Sequence, residues 1–508
     1  MAQKPNDADV LIVGAGPTGL VLALWLTKLG VSVRIVDKLS TAGTTSRALA
    51  VQARTLEFYQ QIGLAEAVVA RGHKVPALNL WVRSAHAARV PLESLGQGLT
   101  PFPFPIIFPQ DEHEMLLIER LHAIGVEVER VTELTVFEEK DAAVHATLRT
   151  GGTEEVRTYA YIAGCDGARS RVREVLEVGF PGGTYDHLFY VADVEAAGAP
   201  MNGELHVDLD DADFLAVFPL SDSGRARLIG SVRDAAAKDH EHLEFEDVRD
   251  RAIHNLKLEV KHVNWFSTYR VHHRVANRFR HGRAFLLGDA AHIHSPVGGQ
   301  GMNTGIGDAV NLAWKLASVL KRSANVALLD SYEPERIAFA QRLVATTDRA
   351  FTAVISPGVL IRLLRTRLLP LFAPLLFRIP VMRRFMFRTV SQIAVNYRGS
   401  ALSSGSTGRI RGGDRLPWVG DNFAPLATLN WQIHVYGIAG PRMQALSARQ
   451  GITLNTFAWQ SLMQKAGLRR NAAYLVRPDG YVAVMSTNDD PAAIAKYLSE
   501  KNVVRVLS

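Results

Sequence analysis

Only one cysteine, Cys165, occurs in the 508 residues. No intrachain disulfide can form, and a cysteine-based zinc or iron–sulfur cage is excluded. Such usage is expected of a reducing cytoplasm. Acidic side chains are absent from a whole interval, Asp348 to Asp414. Long apolar runs are absent too. Uncharged stretches of that interval, such as Ala350 to Ile361 with twelve residues and Leu368 to Phe377 with ten, fall short of the roughly 18 that a bilayer-crossing helix needs. Met1 to Asp9 is polar and carries no apolar core of a signal peptide. A cytoplasmic location is the expectation.

What is present is ordinary for a globular chain: 47% hydrophobic and 21% charged residues. The formal charge of +7 is concentrated. Eleven arginines (Arg349, Arg362, Arg365, Arg367, Arg378, Arg383, Arg384, Arg388, Arg398, Arg409 and Arg411) lie in the acid-free interval, so the rest of the chain is close to neutral. The plainer reading is a solvated basic helix surface. Contact with an anionic membrane surface or an acidic ligand is the alternative. No nucleic-acid recognition motif accompanies the charge.

The pattern along the chain divides it. Asp9 to Val13, Pro17 to Leu29 and Val31 to Val36 read as strand, helix and strand, a βαβ unit. Helices are expected at Arg54 to Ile62, Gln110 to Ala123 and Asn303 to Leu320, with strands at Val126 to Glu129, Val144 to Leu148, Tyr159 to Gly164 and Arg283 to Leu287. Phe180 to Arg270 alternates in short runs, as an antiparallel sheet does. Phe351 to Tyr397 is apolar but broken by Pro357, Pro370, Pro374 and Pro380, which predicts short packed helices. Ser400 to Gly413 is rich in serine and glycine and reads as a linker. The expected units are 1–178 with 277–350, then 179–276, 351–398 and 414–508.

Three motifs carry the chemistry. The first is Gly14-Ala15-Gly16-Pro17-Thr18-Gly19, set between strand and helix. Its glycines permit a tight turn, a close approach of backbone to a pyrophosphate, and close packing of helix on strand. The helix N-terminus offers free N–H groups to phosphates. Asp37, with Lys38 after it, ends the second strand about twenty residues on, where an acid can bind a ribose hydroxyl pair. The second motif runs Cys165-Asp166-Gly167-Ala168-Arg169-Ser170-Arg171-Val172-Arg173. The third runs Gly288-Asp289-Ala290-Ala291-His292-Ile293-His294-Ser295-Pro296-Val297-Gly298-Gly299-Gln300-Gly301-Met302-Asn303. His292 and His294 have no further ligand set nearby, so no metal site is expected. No second Gly-x-Gly-x-x-Gly follows a strand.

In order and content these motifs, with Asn311 to Ala317 and Tyr332 to Arg336, resemble the para-hydroxybenzoate-hydroxylase-like FAD-dependent monooxygenases. The resemblance implies an α/β fold: a Rossmann-like FAD-binding domain with an inserted antiparallel-sheet substrate domain and a helical segment. FAD contacts are implied for the glycine turn, Asp37, Lys38, Arg47, Gln110, Asp166, Gly167, Gly288, Asp289, Pro296, Gly299, Gln300, Gly301, Met302 and Asn303. Asp289 would accept hydrogen bonds from the ribityl chain. The helix near Asn303 would direct its positive end at the flavin ring, with Gln300 and Asn303 at the ring edge. Arg169 and Arg173 would face a nucleotide phosphate or lie on an exposed helix face.

The implied reaction uses NADH or NADPH and dioxygen. A flavin hydroperoxide transfers one oxygen atom to a small aromatic, phenolic substrate, with Pro296 in the peroxide pocket. Baeyer–Villiger or antibiotic- and polyketide-modifying oxygenation on the same scaffold is the alternative, as is a membrane-surface quinone-ring hydroxylase. Tyr190, His206, Phe214, Phe218, Tyr269 and His272 are candidates for the pocket lining, each balanced by a core or surface role. Leu475 to Ala483 (LVRPDGYVA) resembles the thioredoxin-like extension of phenol and polyketide hydroxylases. Without cysteine it can do no thiol chemistry. A structural role, with homodimer contacts as one form of it, is the expectation.

Overall fold

The computed structural model describes residues 8–43, 48–82, 85–93, 95–209, 214–220, 224–232, 243–248, 251–295, 298–355, 368, 372, 379–487 and 489–503. The chain opens with β1 (Val10–Val13), all four residues buried. Helix α1 (Pro17–Lys28) starts on a proline, whose fixed φ suits the first helical position. Strand β2 (Val33–Val36) follows, and after a loop comes α2 (Ala53–Gln61). Farther along, β3 (Tyr161–Gly164) and β4 (Ala284–Leu286) join the sheet. Strands β4, β3, β1, β2 and Val128–Glu129 are parallel neighbours in that order, and Arg280–His281 adds an antiparallel edge. Two covered faces explain why β1, β3 and β4 lack polar alternation. Leu20 to Leu26 of α1 are buried all round, because α1 also packs on helix α3 (Gly301–Leu320).

Helix α3 begins two residues before the expected Asn303, since the Gln300 carbonyl already accepts the Thr304 N–H. Helix α4 (Tyr332–Ile355) follows it. The helix Pro380–Val390 lies in the arginine-rich interval. Arg362, Arg365, Arg367 and Arg378 fall outside the described residues. Among the described residues no helix is long and apolar enough to cross a membrane.

The large antiparallel sheet orders its strands as His292–Ile293, Leu258–Val275, Gly182–Gly198, Arg225–Ser231, Phe214–Pro219, Leu205–Leu209, Ala77–Val82 and Ala85–Pro91. The last two are a hairpin that the sequence left unassigned. It joins through a parallel pairing, Val207 opposite Leu80. Pairing between segments so far apart in the chain leaves no local trace.

Cross-strand partners share a face of a sheet. Tyr190, Leu215, Val217, Leu228 and His206 take one face, under the short helices Phe245–Val248 and Arg251–Asn255. Phe189, Phe214, Ala216, Phe218, Val207 and Tyr269 take the other.

The C-terminal unit has a four-stranded sheet ordered Thr453–Phe457, Gln432–Tyr436, Ala473–Val476, Val482–Ser486. The first pair is parallel and the others antiparallel. Ser400 to Gly413 is not a free linker. Ser406–Thr407 pairs with Ile410–Arg411, and the Ser404 and Gly413 N–H groups donate to Ala483 and Val482. Its glycines serve close backbone packing: a Cβ on Gly412 would stand 2.3 Å from the Ser404 nitrogen.

Candidate active site

The glycine turn divides its work as its spacing implied. Gly14 has φ +102°, and a Cβ there would lie 2.4 Å from the Cys165 carbonyl oxygen. At Gly19 a Cβ would lie 2.0 Å from the Gly14 carbonyl oxygen. Both positions therefore demand glycine for protein packing. Gly16 differs, because a Cβ there meets nothing within 4 Å. Among the described residues no side chain caps α1 at Gly16, so its first N–H groups have no acceptor within the helix. A pyrophosphate fits this cradle on both counts. Asp37 closes one side: its carboxylate accepts the Ala15 N–H at 2.7 Å and the Leu39 N–H at 2.8 Å. Each oxygen can accept a further bond. Lys38 is exposed beside it.

The third motif meets the first through Thr18. A Cβ on Gly288 would lie 2.7 Å from the Thr18 Oγ1, and one on Gly305 would lie 2.3 Å from it. Glycine at all these points lets the start of α1, the end of β4 and helix α3 converge. Asp289 is exposed there. Helix α3, like α1, has no side-chain cap, so the N–H groups of Gly301, Met302 and Asn303 have no acceptor within the helix. Gly298 and Gly299 take positive φ in the loop before it. Pro296 and Arg47 lie outside the described residues.

Several side chains are committed elsewhere than their motifs suggest. Asn303 accepts from the Gln52 N–H and the Thr55 hydroxyl through Oδ1, and donates to the Ala50 and Gly299 carbonyls through Nδ2, all at 2.7–2.8 Å. The amide is fully used, so only its backbone N–H faces outward. Arg173 does not lie on an exposed helix face. Its buried guanidinium donates to the Ala290 and Ala168 carbonyls and stacks on Phe180, and burial lowers its pKa. It thereby ties the second motif to the third. Asp166 accepts from the Ser170 hydroxyl and the Val172 N–H, capping the next helix. Burial raises its pKa. Gly167 beside it has φ +78° and open space around a would-be Cβ. Arg169 is exposed. Gln110 holds the Glu114 carboxylate, which also accepts the Gly43 N–H.

Of the six lining candidates, the structure brings Phe214, Phe218 and Tyr269 to the sheet face turned toward the nucleotide-binding unit. Phe218 and Leu205 pack with Leu49 and Ala50, and Ala50 stands against Gly299. Phe214, Phe218 and Tyr269 are only half-buried. The charged pair on this face, Arg227 and Asp193, is joined by two hydrogen bonds. Tyr190 and His206 are on the opposite, helix-covered face. His206 accepts from the Trp81 indole N–H, and burial lowers its pKa to about 4. His272 bonds the Thr184 hydroxyl.

The sequence reading missed Asp308. This buried carboxylate accepts the Gly288 N–H at 3.0 Å and pairs with His292 at 2.7 Å and with Arg336. Burial pushes its pKa up, but Arg336 and His292 outweigh that and hold it low. Its signal was present: a lone acid on the apolar face of GIGDAVNLAWKLA.

The FAD binding domain family matches residues 7–347. The 6-methylpretetramide 4-monooxygenase of Streptomyces rimosus is 36% identical over 419 residues, 79% of this chain and 72% of that one. A flavin-dependent monooxygenase of Mycobacteroides abscessus is 31% identical over 513 residues, 96% of this chain and 99% of its own. Among solved structures, the anhydrotetracycline hydroxylase OxyS from Streptomyces rimosus aligns with a TM-score of 0.78 at 29% identity, covering 98% of this chain and 99% of that one.

Proposed function

The chain belongs to the FAD binding domain family and is a flavoprotein monooxygenase, and from that premise we propose that it hydroxylates a neutral, multi-ring phenolic substrate. The observation that carries this reading is the partly buried apolar wall of Phe214, Phe218 and Tyr269, of which Phe218 packs with Ala50 beside Gly299. Beside these rings the Arg227–Asp193 pair is joined to itself by two hydrogen bonds, so the wall suits rings rather than a carboxylate. Relatives named for tetracycline-type compounds agree with it.

FAD would be held by the backbone of Gly14 to Gly19, by Asp37 at its ribose, by Asp289 at its ribityl chain and by the N–H groups of Gly301 to Asn303. When bound, FAD takes a hydride from reduced nicotinamide and activates dioxygen to deliver one oxygen atom to a ring carbon. The chain's residues do the rest. The uncapped start of α3 favours negative charge at the ring edge. The apolar wall orients the substrate ring and excludes water. His113 and His434 are buried, and burial lowers both pKa values to about 3. They remain neutral at physiological pH and stand apart from this chemistry.

We also read the units as 1–178 with 277–350 for FAD, 179–276 plus the hairpin 77–91 for substrate, and 351–398 and 414–508 beyond. The last is thioredoxin-like, a reading its βαβ–ββα order supports. Asp489 caps its first helix, at the place where thiol chemistry would need cysteine.

The test is direct. Purified protein should be yellow with one FAD per chain. Polycyclic phenols should stimulate NAD(P)H oxidation with incorporation of one labelled atom from ¹⁸O₂. Stimulation by benzoates alone would overturn the substrate class, and protein that takes up no flavin would overturn the whole reading.

A further inference from the structure

The C-terminal unit enters the nucleotide-binding unit with charged side chains that are fully buried. Arg477 is 0% exposed. Its guanidinium makes two bonds to Glu335 of α4, at 2.8 and 3.0 Å, and two to Asp479, at 3.0 and 2.6 Å. Glu335 also accepts from Lys315 and Asn311 of α3 and from Ser400. The next residue on α4, Arg336, continues the chain: it donates to Asp308, whose other oxygen holds the Gly288 N–H. A second link runs through Tyr397. Its hydroxyl accepts from Arg336, and the Arg477 guanidinium lies 5.1 Å from its ring centre. The same turn reaches the other cofactor loop, because the Asp479 carbonyl accepts from Arg54 of α2, and Gln52, at the start of α2, holds the Gly298 carbonyl.

We propose that Arg477 is a positioning residue for the flavin site: through Glu335, Tyr397, Arg336 and Asp308 it sets the Gly288–Asp289 backbone. The C-terminal unit is thereby part of the cofactor site rather than an appendage. A buried carboxylate stripped of its main partner must find another cation or protonate. Glu335 keeps Lys315 at Oε2, but its Oε1 is left with the Ser400 hydroxyl alone; the adjacent cation for it is Arg336, and turning Arg336 toward it releases Asp308 and the Gly288 N–H. This inference rests on the reading that FAD occupies the site.

The experiment removes FAD from the full-length protein and titrates it back, following flavin fluorescence, with the melting temperature of the apoprotein measured separately. Arg477→Met is expected to weaken FAD binding at least tenfold, and Arg477→Lys to recover most of that loss. Ile433→Ala, which opens a cavity in the C-terminal core but removes none of the relay's hydrogen-bonding groups, should lower the melting temperature and leave FAD affinity within twofold. If Arg477→Met melts lower yet binds FAD as the wild type does, or if Ile433→Ala weakens FAD equally, the inference is overturned. Should Arg477→Met not fold, Tyr397→Phe decides: weaker binding by several-fold supports the relay, and unchanged binding overturns it. Wild-type protein that takes up no FAD removes the functional reading first, and so separates the two failures.

Discussion

The nucleotide-binding unit meets two neighbours, and the two junctions are built from opposite materials. Toward the C-terminal unit, Glu335, Lys315 and Arg477 are joined at 0% exposure, with Asp479, Arg54, Glu57 and Arg415 around them. Toward the large sheet, Phe214, Phe218, Tyr269 and Leu205 offer a half-open apolar face. Buried ion pairs are directional and punish every misalignment. Apolar contact is non-directional and tolerates a change of occupant. One junction therefore fixes placement, and the other leaves room for a ligand.

The strongest way to break the contrast is Glu335→Leu. It leaves Lys315 buried without its carboxylate and Arg477 with Asp479 alone, and should cost about 3–5 kcal/mol, read as a lower denaturation midpoint at unchanged slope. Tyr190→Ala, on the covered face of the sheet, should cost a similar ~3–5 kcal/mol with KM for substrate unchanged. Phe218→Ala, on the open face, should do the reverse: only about 1–2 kcal/mol of stability, since the ring is partly exposed, but a several-fold rise in KM and more peroxide released per NAD(P)H. Equal behaviour of these two variants would show that the faces are not distinct in function.

Gly16→Ala sharpens the comparison inside the glycine turn. Its Cβ has free space, so the melting temperature of the apoprotein should hold while FAD binding falls about tenfold, roughly 1.4 kcal/mol. Gly19→Ala should instead destabilise the apoprotein itself. The smallest effect expected is in acid. Burial pushes Glu335 upward, but Arg477 and Lys315 more than offset it and hold its pKa well below the ordinary 4.5. Its stabilisation is complete above pH 4.5 and is lost as the pH falls toward the lower folded value. Glu335→Gln should therefore show a shallower acid limb in melting temperature against pH.

The parallel core was legible because it is local. β1, β3 and β4 are continuous apolar runs, and the turns after β1 and β4 need glycine for their own backbone, at Gly14 and Gly288. The hairpin Ala77–Pro91 and the packing of Ser400 to Gly413 were not legible. Their partners lie far off in the chain, and a serine- and glycine-rich stretch reads the same whether it is loose or tightly packed. Asn303, Asp166 and Arg173 were found as members of their motifs, but the protein partners that occupy their side chains were not legible.

By itself the amino-acid order determined where the backbone turns, which loops follow which strands, and hence that a nucleotide cradle exists. Only the tertiary structure decided which polar groups remain available to a ligand. A side chain's chemistry is what is left after its protein partners are satisfied: Asn303 gives its amide to Gly299 nearby and to Ala50, Gln52 and Thr55, some 250 positions away, while among the described residues the N–H groups at the start of α1 and α3 are given to no side chain.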